Sequence, residues 1–149
     1  MKQWAYVWLS PSQDSRSWQP AVIVERLALP GAYVVTRGET LHGSSNKART
    51  SQWRTRPVRS ASTEVDALIL STIRPILEYA KEFAELRREM DLDAGLSHVV
   101  EISTSLASDS DDDMFLNVEW PNYVLSASTL RQLAELGLQY WLDPYFEYK

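Results

Sequence analysis

None of the 149 residues is a cysteine, which excludes structural disulfides, thiolate metal sites and a cysteine nucleophile and fits a reducing compartment. Histidine is nearly as scarce: a serine or threonine nucleophile would have only His42 and His98 to draw on as a base. There is no Gly-x-Ser-x-Gly elbow, and Gly31, Gly38 and Gly43 fall into no phosphate-cradling spacing. No apolar run is long enough to cross a bilayer and the first ten residues lack a signal-peptide core, so the expected location is the cytoplasm. The formal net charge of -5 opposes a nucleic-acid binder working through global charge.

What the chain does have is a long amphipathic stretch over residues 63–90. Val65, Ile69, Ile73, Ile76, Ala80, Phe83 and Met90 recur at helical spacing, and Asp66, Arg74, Glu78, Lys81, Glu82, Glu85, Arg88 and Glu89 make an opposite face that reads as solvated surface. Thr63-x-x-Asp66 resembles a capping box. Pro75 removes one backbone hydrogen bond and crowds the carbonyl of Ser71, so the spacing predicts a kinked helix, or two helices meeting near Arg74; the unbroken stripe favours the kink.

Around this brace, residues 3–10 alternate Trp4, Tyr6 and Trp8 with Ala5, Val7 and Leu9, an interior strand with two apolar faces. A helix is expected over 18–29, stopped by Pro30-Gly31, then a short strand over 32–36 and another over 52–58 centred on Trp53. Residues 91–95 read as an exit loop. Two alternating segments, 97–106 and 114–120, flank an acidic turn as an antiparallel hairpin. Ser126 is the expected cap of a helix ended by Gly137, and 138–142 the last strand before Asp143-Pro144 runs out. The order predicts a single domain, 1–149, of α+β class: a mostly antiparallel sheet with helices on one face, in the ferredoxin-like style.

Charge is unevenly placed. Residues 37–59 hold Arg37, Lys47, Arg49, Arg54, Arg56 and Arg59 against Glu39 alone, a local charge of about +5 that leaves about -10 elsewhere. Arginines interleaved with Trp53 can grip phosphates, stack on bases or pair with a partner's carboxylates, and they can equally protect a strand edge or pair with this chain's own acidic face. The candidate binding set is Arg37, Glu39, Arg49, Trp53, Arg54 and Arg56. Taken together, Trp4, Trp8, Trp18, Trp53, Trp120 and Trp141 are numerous for a small domain, but tryptophans on alternating strands are more often core than binding platform. Asp109, Asp111 and Asp113 imitate the start of an EF-hand loop, but Met114 stands where glycine is needed and Trp120 where the bidentate glutamate belongs, so a solvated turn is expected. His98 lies on the apolar side of a strand and reads as structural; His42 with Glu39 is a weak general-base pair. No catalytic residue, metal or cofactor is expected.

The order of landmarks resembles a bacterial family, domain of unknown function 4279. The similar features are Arg37-Gly38-Glu39, Ser51-Gln52-Trp53, the amphipathic helix through Leu68, Leu77 and Phe83, Leu125-Ser126-Ala127, Leu133-Ala134-Glu135-Leu136-Gly137 and Leu142-Asp143-Pro144-Tyr145. The chain departs from that pattern in a longer polar insert before Trp18 and in the acidic turn. The resemblance implies a small bacterial or phage protein without an assigned activity, and the size, acidity and single-domain form are also similar in type to immunity proteins. The expected function is a non-enzymatic binding protein, an immunity-type inhibitor of a protein partner acting through one charged face. The alternative is an anion or single-stranded nucleic-acid binder using the basic 37–59 segment. A hydrolase built on His42 and Glu39 comes third.

Overall fold

The computed structural model describes residues 2–12, 18–40, 47–104 and 121–148. Among the described residues the sheet has six strands in the order β2-β3-β1-β5-β6, with β4 also paired to β1. These are β1 (Lys2–Pro11), β2 (Tyr33–Val35), β3 (Gln52–Arg54), β4 (Val58–Ser60), β5 (Leu92–Thr104) and β6 (Gln139–Tyr148). All pairings are antiparallel except β5 with β6. The described helices, α1 (Pro20–Arg26), α2 (Val65–Leu77), α3 (Ala80–Met90) and α4 (Ala127–Glu135), pack on one side. The architecture is thus α+β, a mostly antiparallel sheet with its helices on one face.

Strand β1 is interior because both of its faces are apolar. Ala5, Val7 and Leu9 are fully buried against the helices, joined from β5 by Ala94, Leu96 and His98 at paired positions. Trp4, Tyr6 and Trp8 therefore point to the opposite, outer face.

The stripe over 63–90 is carried by two helices. Ile69, Ile73, Ile76, Phe83 and Leu86 all lie in the core, so the periodicity is real, but the chain breaks at Glu78–Tyr79 instead of bending at Pro75. Pro75 offers no N–H to Ser71, Thr72 Oγ1 bonds the carbonyl of Leu68 (2.8 Å), and Tyr79 N–H then closes on Ile76 (2.9 Å), one residue short of α-helical pairing. The capping-box expectation also gives way: Glu64 is the N-cap, without a side-chain bond, and Asp66 instead accepts the N–H of Ser126 (2.8 Å). The Thr129 hydroxyl and Ser126 hold the Asp66 carboxyl below its usual range. One end of α2 is thereby tied to the cap of α4, where Ser126 accepts from Thr129 N–H (3.2 Å) as its sequence position implied. Nor is the charged side of α3 merely solvated, since Glu82, Glu85 and Glu89 all converge on Arg26 of α1.

Three boundaries move. Residues 91–95 are not an exit loop: Asp91 turns through a left-handed conformation (φ 52°) and β5 begins at Leu92. Gly95 sits mid-strand because a Cβ there would fall 2.3 Å from Cζ2 of Trp8, whose indole lies over the glycine. Strand β6 runs on past Leu142 to Tyr148, taking Pro144 into a strand at the edge of the described sheet. Helix α1 is shorter than the periodicity suggested, ending at Arg26. The acidic turn and the second arm of the expected hairpin lie outside the described residues.

Candidate binding face

Six aromatic and basic side chains meet on the outer face. Trp8, only 8% exposed, receives the edge of Trp141 from β6, with ring centroids 6.5 Å apart and planes at 67°. Trp141 itself is 57% exposed. The Arg54 guanidinium lies 4.9 Å from the ring centre of Tyr6 and that of Arg59 5.8 Å from the ring centre of Trp4. Among the described residues neither arginine has an ion-pair partner. Arg54 is also oriented, since its Nε–H donates to Gln52 Oε1 (2.8 Å).

A backbone irregularity puts both arginines on this side. Arg54 pairs with Trp8 and Arg59 with Trp4, although five residues separate the arginines and four the tryptophans. Arg56 and Pro57 together oppose Tyr6, a bulge that shifts the register by one residue and reverses the alternation beyond it. The bulge is anchored by Thr55, whose N–H donates to Val7 O (2.9 Å) while its Oγ1 accepts from Val7 N–H (3.0 Å). Pro57, with no N–H to offer, suits the unpaired position. A regular strand over 52–58, as expected from the sequence, would have turned Arg59 toward the helices.

The remaining candidates scatter. Trp53, a candidate binding residue, is fully buried on the helix side opposite Leu9, and among the described residues its Nε1 has no hydrogen-bond partner; burial removes it from any contact set. Arg56 is exposed, its side-chain carbons packed beside Gly31. Arg37 and Arg49 are exposed in a ladder-like turn, where Gly38 N–H donates to Ala48 O and Ala48 N–H to Glu39 O, both at 2.8 Å. The carboxylate of Glu39 accepts from Thr36 N–H (2.8 Å), so it holds the turn. His42 lies outside the described residues. The sequence reading missed Trp4, Tyr6, Trp8 and Trp141 as surface formers. Their alternation was legible, but only the pairing with Arg54 and Arg59 shows that this side of the sheet carries charge.

Charge divides across the face. The β3–β4 side brings Arg54 and Arg59. The β5–β6 side brings Glu101, bonded to Lys2 of β1 (3.2 Å), and Asp143, which pairs with Val99 in register.

On the helix side His98 is fully buried between Tyr140 Oη (2.7 Å from Nδ1) and Gln3 Oε1 (2.8 Å from Nε2). Gln3 Nε2 in turn donates to the carbonyl of Ser62. With Tyr140 donating and Nε2–H donating to Gln3, a neutral imidazole satisfies every partner. Burial pushes its pKa down from 6.5 to about 4, and burial likewise drives the Tyr140 phenol up to about 12. Tyr123 stands 6.2 Å away, ring to ring. This cluster reads as a polar tie between β1, β5 and β6, in line with the structural role expected for His98. Among the described residues no group of three or more histidines, aspartates and glutamates could hold a metal ion, and no helix is long and apolar enough to cross a membrane.

In comparisons with known proteins, the family described as domain of unknown function (DUF4279) matches residues 5–147. No curated protein and no solved structure matches the chain.

Proposed function

This chain belongs to the DUF4279 family, and from its outer sheet face we propose that it is a non-enzymatic protein-binding module. The observation that carries this reading is the composition of the face: exposed Trp141 and half-buried Trp4 and Tyr6 at the centre, Arg54 and Arg59 on one side, Glu101 and Asp143 on the other. Tryptophan, tyrosine and arginine are the residues that concentrate binding energy at protein interfaces, and a centre of rings bordered by both signs of charge is the anatomy of such a patch. A bipolar border also favours a protein over a nucleic acid, whose uniform phosphate charge the acidic side would repel. An inhibitor of the immunity type is the special case in which occupying this face blocks the partner's own site.

The test replaces Trp141 with a photo-crosslinking amino acid and irradiates the protein in extracts of its source cell, with the same replacement at exposed Arg74 of α2 as control. We expect one defined protein adduct from position 141, absent from position 74 and lost on Arg59→Glu. Equal adduct patterns from both positions would remove the assignment of this face, and adducts to nucleic acid alone would move the reading to the single-stranded nucleic-acid alternative.

A further inference from the structure

The two guanidinium groups share a geometry that a general contact surface does not need. Tyr6 and Trp4 occupy alternate positions on β1, so their rings, and the guanidinium groups lying over them, are spaced by roughly 7 Å along the strand. Each arginine has a ring beneath it that limits where the cation can go. Gln52 takes the Nε–H of Arg54, and among the described residues nothing bonds the two terminal nitrogens of that guanidinium, which can present a fork outward. Among the described residues no carboxylate pairs with either group.

We propose that Arg54 and Arg59 form a two-cation cradle that reads an acidic, extended segment of the partner, binding carboxylates on alternate residues. An extended chain projects the side chains of residues i and i+2 to the same side at the same spacing of roughly 7 Å, so two glutamates or aspartates so placed meet both forks at once. Adjacent acidic residues point to opposite sides and satisfy only one fork. The cradle rests on the proposed binding role of the outer face and specifies the chemistry of what docks there.

The experiment titrates the full chain at low salt with two labelled tetrapeptides, blocked at both ends and differing only in order: Glu-Thr-Glu-Thr and Glu-Glu-Thr-Thr. Fluorescence polarisation gives the affinity, with inorganic phosphate as a competitor. The alternating peptide should bind several-fold more tightly than the adjacent one. Arg54→Gln or Arg59→Gln should weaken it about tenfold, the loss of one charge-assisted pair. Arg54→Lys, which keeps the charge and loses the fork, should recover only part of this. Arg74→Gln removes an exposed arginine of α2, on the helix side, and should change nothing. Thermal melts of each variant confirm that the fold is retained. Equal affinity for the two peptides, an equal effect of Arg74→Gln, or tight phosphate binding without peptide binding would each overturn the cradle. If peptides fail to bind while the position-141 adduct persists, the cradle is wrong and the binding face stands; if both fail, the face itself is misassigned.

Discussion

Acidification should loosen this protein through one buried side chain. His98 is inaccessible to water, already bonded on both ring nitrogens, and held neutral in the folded state with its pKa pushed down to about 4. In the unfolded chain the same imidazole takes up its proton near pH 6.5. The unfolded state therefore binds more protons between these two values, and stability falls as pH drops below about 6.5, the loss being complete below about 4. Each pH unit across that window is worth about 1.4 kcal/mol, so the full loss is about 3 kcal/mol, of which about 2 kcal/mol is already present at pH 5. Urea unfolding at pH 8, 6 and 5 measures it, read as the midpoint at constant slope. His98→Gln gives the reference, since a neutral amide in its place carries no proton to lose or gain. Asp66 and Glu89, whose carboxyl groups are held below their ordinary range, lose their contributions only at lower pH, so pH 5 isolates the histidine. A wild-type profile between pH 8 and pH 5 that parallels that of His98→Gln would refute the reasoning.

Two further outcomes follow from packing. Gly95→Ala drives a methyl group into the rigid Trp8 indole, so it should destabilise by about 1–3 kcal/mol in thermal or urea unfolding and change tryptophan emission as Trp8 parts from Trp141. Asp66→Ala unties the start of α2 from the cap of α4 and should cost about 1 kcal/mol, while Asp66→Asn, which still accepts from Ser126, should cost less.

The periodicity along the chain by itself determined the element types and the buried face of most of them. Ile69, Ile73, Ile76, Phe83 and Leu86 are core because a helix repeats every 3.6 residues, and Ser126 and Gly137 bound α4 because a hydroxyl can accept an orphan N–H and a glycine tolerates φ of 62°. Local chemistry of this kind is written in adjacent residues. The split at Glu78–Tyr79 was not legible, because Pro75 permits either a kink or a break and packing chose between them. Gly95 looked like a turn residue, since nothing local says that Trp8, far away in sequence, needs its missing Cβ. The proposed binding face depended on tertiary structure most of all. A basic segment over 37–59 was visible as composition, yet it sent Trp53 into the core, left Arg56 beside Gly31, and brought only Arg54 and Arg59 over the rings of β1. What decided this was a one-residue change in register against β1, a property of strand pairing that no single strand contains.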